Sequence, residues 1–276
     1  AAIKIASRLN SQKLWKEIIF MLDDPQYNNI LINILVEIGE PVLDLLYEYG
    51  KKQINTDIIS KIIQIYAKIG TAKAQTLLLN FLNFPDREIQ KLSIEALAYT
   101  QYKAIDEDFY MIKDKIRDVV FNIHWFLVAI KDLVHEKNTL KIVQALDLER
   151  QNSLEQLFIL LSFTNSPEII ELIKINIIGE NTIFAIELID NFIQPEIKKI
   201  IIPLFEPISI SQKSKKLKSF FIIEPVGFEK RLIEIVLTNN QFVDVWSQAR
   251  AIELIDKLIL EKEIEAFNKD LLKIKQ

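Results

Sequence analysis

A nine-residue segment occurs twice in this chain almost unchanged. Residues 185–193 read AIELIDNFI and residues 251–259 read AIELIDKLI, so the two copies differ at two positions. Shorter copies are SIEAL at 93–97 and SLEQL at 153–157, and the four copies begin 60, 32 and 66 residues apart. These separations lie close to multiples of about 30–33 residues, a length typical of one helical pair in an α-solenoid. The alternative is that such strings arise by chance in a helical protein rich in Ile, Glu and Leu.

The four copies share a small first residue. These residues are Ser93, Ser153, Ala185 and Ala251. Two helices pack closely where a short side chain separates them, so we expect all four positions to lie at helix contacts.

Helical signals run along the whole chain. Between 86 and 100, the apolar residues Ile89, Leu92, Ala96 and Tyr99 follow a helical period and predict one buried stripe. Prolines beside polar residues predict helix starts at 24–25, 40–41, 166–168 and 194–196. Four of the five glycines predict helix ends in the left-handed conformation, namely Gly39, Gly50, Gly70 and Gly179. We find no convincing run of strands.

The composition favours a globular helical protein in a reducing, cytoplasm-like compartment. Half of the residues are apolar, and there is no cysteine for a disulfide, a thiolate or a Cys-based zinc site. The net charge of −4 disfavours general nucleic-acid binding, which needs a basic surface. No apolar run reaches the ~18–20 residues that a transmembrane helix needs. The chain begins with Ala1 and no signal-peptide pattern follows, so we expect a piece of a longer protein or a processed one.

Residues 70–98 resemble one unit of the HEAT-repeat family. GTAKAQTLLL at 70–79 suits the first helix, FPDREI at 84–89 suits a turn carrying Pro and Asp, and ALA at 96–98 suits the small residues of the second helix. The resemblance spans roughly 25–260 and is strongest at 55–102 and 166–260. It implies an all-α, right-handed α-α superhelix, a HEAT-like or armadillo-like solenoid of about five to seven helical pairs. Such a fold implies no single function.

A narrower resemblance concerns residues 181–205 and the segment WSQARA at 246–251. They look like the helical linker of bacterial membrane proteins in which a nucleotide-transporter-like domain is followed by HEAT repeats. This resemblance implies that the chain is a cytoplasmic segment of such a protein. The domain expected from the HEAT resemblance covers 1–276, with an irregular junction at 103–150 and a loop insertion at 208–227.

Motifs for catalysis and for nucleotide binding are missing from the sequence. It contains no Walker A loop, no dinucleotide-binding glycine motif and no nucleophile-elbow motif. We therefore predict no catalytic residues, no cofactor and no metal site. The alternative is a HEAT-like nucleic-acid-processing enzyme, but no Trp/Asp/Arg constellation of the kind such enzymes need can be assembled from the sequence.

The two histidines and the repeated carboxylate pairs have structural interpretations. His124, beside Trp125 in an apolar stretch, is predicted to be a hydrogen-bonded core residue, and His135 is predicted to face solvent at a helix end. The pairs Glu187/Asp190 and Glu253/Asp256 are spaced to share a helix face. We expect them to be solvated or to form interhelical contacts, since acid–base chemistry needs further ligands and desolvation.

A basic cluster is the best candidate for a specific contact. Lys213, Lys215, Lys216 and Lys218 lie in the predicted loop insertion, among serines and before Phe220 and Phe221. A basic loop beside aromatic rings suits contact with phosphate, an acidic partner or a membrane surface, and the alternative is a solubilising loop. The tryptophans Trp15, Trp125 and Trp246 are predicted to be packing residues, and an exposed one to be an interface anchor. We predict a non-catalytic scaffold that binds another protein or a neighbouring domain.

Overall fold

The computed structural model describes residues 11–24, 26–53, 55–105, 107–179, 181–238 and 242–274. These residues form fourteen α-helices and two short 3-10 helices, and none of them lies in a β-strand. The prediction of an all-α protein is therefore confirmed. None of the helices in the described part of the chain combines the length and apolarity needed to cross a bilayer.

The chain divides into two compact units. The first comprises residues 1–109 and 162–164. Its helices are α1 (Gln12–Phe20), α2 (Asn28–Ile38), α3 (Leu43–Gly50), α4 (Thr56–Ile69), α5 (Ala72–Leu79) and α6 (Arg87–Tyr99). The 3-10 helices Met21–Asp23 and Glu40–Val42 follow α1 and precede α3.

Helices of the first unit alternate between two rows. In one row α1 packs against α3 and α3 against α5, and in the other α2 packs against α4 and α4 against α6. Helices of the first row begin at residues 12, 43 and 72, which are 31 and 29 residues apart. The local spacing thus agrees with the period of about 30 residues seen in the repeated segments.

The second unit comprises residues 110–161 and 165–276. It holds most of α7 (Glu107–Leu133) and α8 (Leu140–Thr164). The helices that follow are α9 (Pro167–Ile178), α10 (Thr182–Phe192), α11 (Pro195–Phe205), α12 (Ile210–Leu217), α13 (Phe228–Leu237) and α14 (Val245–Ile274). The segment 103–150, for which an irregular junction was predicted, is mostly helical, because α7 and the first part of α8 lie in it.

Aromatic rings form a cluster in the second unit. The ring centroid of Phe242 lies 4.9 Å from that of Trp125, 5.8 Å from that of Phe121 and 6.0 Å from that of Phe126. Phe121 also meets Phe221, with their centroids 5.9 Å apart. One face of α7 therefore packs against the chain before α13 and against the chain before α14.

The small residues that open the four repeated segments are all buried, as predicted. The hydroxyls of two of them stay satisfied in the core, since Ser93 Oγ donates to the Ile89 carbonyl at 2.8 Å and Ser153 Oγ to the Glu149 carbonyl at 2.9 Å. A serine at a helix contact therefore leaves no unpaired donor.

Helix starts were predicted better than helix ends. Helices α9 and α11 begin at Pro167 and Pro195, as predicted, whereas Pro25 lies outside the described residues. Gly70 caps α4 in the left-handed conformation, and Gly39 also has a positive φ. The prediction is wrong for Gly50, the last residue of α3, where an added Cβ would lie 3.0 Å from Ile62 Cδ1. Because Gly50 has no side chain, α3 can approach α4 closely at this point.

Gly179 departs from the same prediction, because its φ is −79°. The stripe predicted for α6 also needs correction at its end. Tyr99 is 74% exposed, while Ile89 and Ala96 are buried together with Ser93 and Leu97. The buried face therefore runs through the small residue Ser93, and Tyr99 lies outside it.

The segment 208–227 was predicted to be a loop, and this is wrong for residues 210–217, which form α12. Ser209 caps this helix: its hydroxyl accepts from the Gln212 amide at 3.3 Å, and Gln212 Oε1 accepts from the Ser209 amide at 3.0 Å. This reciprocal pair is a capping box, which satisfies two backbone donors at the helix start. Residues 221–227 have no regular structure.

Candidate functional site

One face of α12 lines a cavity in the second unit. Ser214, Lys215 and the C-cap residue Lys218 follow Ser211 by three, four and seven positions, which places the four residues along one side of the helix. All four line a cavity of about 300 Å³. Because of this helical spacing, the two serines and two lysines share one polar surface.

Two other segments complete the cavity, which we call the lysine pocket. Helix α7 contributes Lys131. The remaining lining residues come from α12 or the irregular segment after it: Ile210, Phe221, Ile222, Ile223, Glu224 and Pro225. A mainly apolar wall therefore faces the lysines and serines.

The three ammonium groups of the lysine pocket differ in their contacts. Lys131 Nζ donates to Ser211 Oγ at 2.6 Å. Lys218 Nζ lies 3.7 Å from a carboxylate oxygen of Glu224, and both side chains are more than half exposed. Lys215 is exposed, and none of the ion pairs in the described part of the chain involves it. Three lysines against one glutamate make the pocket locally positive in a chain with a net charge of −4.

The other two lysines of the predicted basic cluster face away from the pocket. Lys213 Nζ donates to the Leu204 carbonyl near the end of α11, and burial lowers the pKa of Lys213. Lys216 Nζ donates to both carboxylate oxygens of Glu206 at 2.6 Å. Cations at a helix carboxyl end interact favourably with its dipole, so Lys213 and Lys216 attach α12 to α11. The four lysines therefore divide into two pairs with different roles.

His124 lies behind the lysine pocket and is fully buried, as predicted. Its Nε2 lies 2.8 Å from Ser214 Oγ, and that hydroxyl also lies 3.0 Å from the Ile210 carbonyl. Ser214 therefore donates to the carbonyl and accepts from His124, which places the imidazole proton on Nε2. Burial, assisted by the nearby charge of Lys213, lowers the pKa of His124 to about 4.

The His124–Ser214 pair is poorly suited to nucleophilic catalysis. The histidine of a catalytic triad has an orienting partner on its other ring nitrogen, whereas Nδ1 of His124 is buried without a hydrogen-bond partner among the described residues. The serine proton already points to a backbone carbonyl, and an imidazole with a lowered pKa is a weak base. The pair instead fixes α12 on α7. His135 is exposed just beyond α7, as predicted.

A buried arginine holds the irregular wall of the pocket. Arg231 Nη2 donates to the Glu224 carbonyl at 3.0 Å, and Arg231 Nε donates to Asp132 Oδ2 at 3.0 Å. The same oxygen of Asp132 accepts from the Val226 amide at 3.2 Å. Backbone groups that have no helical partner are therefore satisfied by side chains of α7 and α13.

The same arginine belongs to a Trp/Asp/Arg constellation that the sequence did not reveal. Its guanidinium carbon lies 5.2 Å from the ring centroid of Trp125, and its Nη1 donates to Glu234 at 2.7 Å. Trp125 Nε1 donates to the other oxygen of Glu234 at 2.9 Å. Arg231 is 1% exposed and its donors are engaged by Asp132, Glu234 and Glu224. The members of this constellation pair with one another, and the Glu234 side chain, 42% exposed, carries the network to the surface.

The repeated carboxylates are in ion pairs or exposed. Asp190 accepts from Lys198 at 2.7 Å, and Glu253 accepts from Arg250 at 2.7 Å and from Lys257 at 2.8 Å. These hydrogen bonds lower the pKa of Glu253, which suits a permanent carboxylate. Among the described residues, no group of three His, Cys, Asp or Glu side chains has the arrangement to hold a metal ion.

The three tryptophans differ in exposure. Trp15 and Trp125 are buried, as predicted for packing residues. Trp246 is 59% exposed, and the prediction of a packing role is wrong for it. The Arg250 guanidinium carbon lies 4.0 Å from its ring centroid, which holds the indole on the surface of α14.

Sequence reasoning missed Lys131 and Asp132 as parts of the site. In the sequence they interrupt the apolar stretch 119–134. Two adjacent charges at the end of a long, otherwise apolar run were the available signal, because such charges need partners when the helix is buried on most sides. Asp132 finds its partner in Arg231, and Lys131 reaches the lysine pocket.

Searches of protein-family models, of curated proteins and of solved structures each found no significant match to this chain.

Proposed function

We propose that this chain is a non-catalytic helical-repeat scaffold that binds another protein, or a neighbouring domain of its own polypeptide, through the lysine pocket. Within the proposal the helices form a HEAT-like α-solenoid. The alternation of α1–α6 between two rows and the start spacing near 30 residues support that arrangement.

The lysine pocket is the observation that carries the proposal. Most cations in its surroundings have structural partners, as Lys213 and Lys216 do, but Lys215 is exposed and Lys218 has only a long, solvated contact with Glu224. An exposed ion pair contributes little to stability, so these two lysines remain accessible for a partner. The apolar wall beside them adds the area that a specific contact requires.

Site-specific photocrosslinking tests the proposed surface. A photoreactive amino acid replaces Lys215 in one variant and Lys216 in a matched control on the opposite face of α12. We expect discrete protein adducts from native lysate at position 215 and none of the same adducts at position 216. Equal adducts at both positions, or none at position 215, would contradict a specific surface at the pocket.

Nuclease treatment addresses the alternative of nucleic-acid binding, which is favoured by one observation, the position of three lysines beside Phe221. The lysate is digested before irradiation. Adducts that persist after digestion support a protein partner. Adducts that disappear, with labelled nucleic acid recovered from the untreated sample, support the alternative.

A further inference from the structure

The lysine pocket offers more hydrogen-bond donors than a carboxylate can use. Lys131, Lys215, Lys218 and Ser211 all line one cavity. A carboxylate has two oxygens, whereas a phosphate monoester has three terminal oxygens and a charge near −2 at neutral pH. The donor number therefore matches a phosphoryl group better than an aspartate or glutamate side chain.

The charge of the lysine pocket also favours a phosphoryl group over a carboxylate. Three lysines and one glutamate give it a local charge of about +2, which a phosphate dianion neutralises and a single carboxylate does not. Lys131 is already positioned, because its ammonium group donates to Ser211 at 2.6 Å. The contact between Lys218 and Glu224, at 3.7 Å, is long enough for an incoming anion to replace it at small cost.

The size and the apolar wall distinguish a phosphorylated side chain in a peptide from a free phosphate ion. The cavity of about 300 Å³ exceeds what one phosphoryl group fills, and Phe221, Ile222 and Ile223 form its other side. Ile222 is 80% exposed. An apolar residue next to the phosphorylated one would cover this side chain and gain the free energy of its burial.

From these contacts we infer that the lysine pocket binds a phosphorylated serine or threonine of the partner, with an adjacent apolar residue packed on Ile222. This inference rests on the proposed scaffold function and names the chemistry of its partner. Lys215 and Lys218 bind the phosphoryl oxygens, Ser211 and Lys131 orient them, and Glu224 turns away from Lys218.

Fluorescence anisotropy with peptide probes tests the inference on the full chain. The probes are a phosphoserine peptide library with random flanking residues, the same library with unmodified serine, and the same library with glutamate. We expect the phosphorylated library to bind at least about tenfold more tightly than either control, since charge-assisted hydrogen bonds are lost in both. Equal binding of the glutamate and phosphoserine libraries would overturn the inference.

Variants locate the binding to the pocket. Lys215→Gln with Lys218→Gln removes the two accessible cations, and Lys230→Gln, at an exposed lysine of α13 that does not line the pocket, is the control of matched chemistry. We expect the double variant to weaken phosphopeptide binding by about tenfold or more and the control to change it by less than about twofold. Circular dichroism confirms that each variant is folded. A control variant as defective as the double variant would place the binding elsewhere.

A competition experiment distinguishes a phosphorylated peptide from a small phosphate compound as the ligand. Inorganic phosphate and O-phosphoserine are titrated against the bound peptide. Weak competition supports a peptide source, whereas competition as strong as that of unlabelled peptide would assign the pocket to a small phosphate ester and overturn the peptide proposal.

Phosphatase treatment of the lysate separates this inference from the function on which it rests. Protein adducts at position 215 that vanish after treatment support both proposals. Adducts that persist would overturn the phosphorylated partner and leave the scaffold function standing.

Discussion

His124 and Ser214 are 90 residues apart in sequence, and their side chains meet at 2.8 Å between Nε2 and Oγ. One residue belongs to α7 and the other to the pocket face of α12. Because Ser214 also donates to the carbonyl of Ile210, the hydrogen bond fixes both the tautomer of the histidine and the rotation of the hydroxyl. A short helix that carries the accessible lysines is thereby joined to the core by a neutral imidazole.

The pH dependence of stability follows from that imidazole. Burial lowers the pKa of His124 to about 4, below the value of about 6.5 expected for histidine in the unfolded chain. Between these values the unfolded chain binds more protons, so stability present above pH 6.5 is lost as the pH falls toward 4. We expect a loss of about 2 kcal/mol between pH 7 and pH 5, measured as the free energy of unfolding in urea.

His124→Gln provides the comparison for this pH effect, because glutamine keeps a donor for Ser214 and does not titrate. Other groups titrate equally in both proteins, so the difference between them isolates the histidine. Parallel stability curves from pH 7 to pH 5 would show that His124 is not held neutral in the core.

Removal of the Arg231 guanidinium is expected to be strongly destabilising. Asp132, with a side chain 6% exposed, would lose its partner, and the carbonyl of Glu224 would lose its donor. We expect Arg231→Met to lower the free energy of unfolding by about 3–5 kcal/mol. Thermal or urea unfolding of the purified variant measures the loss.

The double variant Arg231→Met with Asp132→Asn tests the reason for that loss. Neutralising the carboxylate removes the unpaired buried charge, so the double variant should recover part of the stability lost in the single one. A double variant that is less stable than Arg231→Met by the full cost of a second independent change would show that the two side chains do not interact.

The ring of Phe242 is expected to contribute more to stability than that of Trp246. Phe242 touches Phe121, Trp125 and Phe126, whereas Trp246 is mostly exposed and stacks on Arg250. We expect Phe242→Ala to cost about 2 kcal/mol or more and Trp246→Ala to stay within about 0.5 kcal/mol. Urea unfolding followed by circular dichroism compares the two, and equal costs would contradict the packing described for the cluster.

The N-cap of α6 gives a smaller, local prediction. The side chain of Asp86 accepts from the amide of Ile89 at 3.1 Å. Asp86→Ala should lower stability by about 1 kcal/mol, and Glu95→Ala, an exposed position in the same helix, should change it by less than about 0.5 kcal/mol. A cost at position 86 no greater than that at position 95 would mean that the cap contributes nothing.

Much of the fold could be predicted from local sequence patterns. Prolines placed the starts of α9 and α11, and the small residues Ser93 and Ala185 marked buried contacts. Errors arose where tertiary packing decided the outcome. Gly50 was read as a turn signal, but its missing side chain accommodates Ile62, a contact that no local pattern encodes.

Only part of the lysine pocket could be predicted from the sequence, for a similar reason. In a loop at 208–227 the four lysines would form one cluster, but the sequence contains the capping-box pattern of Ser209 and Gln212. Recognition of that box would have placed Lys215 and Lys218 on one face and Lys216 on the other. The adjacent charges of Lys131 and Asp132 indicate that they need partners, but the partners themselves could not be predicted, because they lie 80 and 99 residues further along the chain.

The attachment of residues 224–226 to Arg231 and Asp132 determines when the lysine pocket is completed during folding. Helix α12 has a local cap, whereas the opposite wall of the pocket depends on a contact between residues 99 positions apart. Contacts of such separation form late, since closing a long loop costs entropy before the contact repays it. The wall formed by residues 224–226, and with it the proposed binding surface, is therefore complete only after α13 has docked.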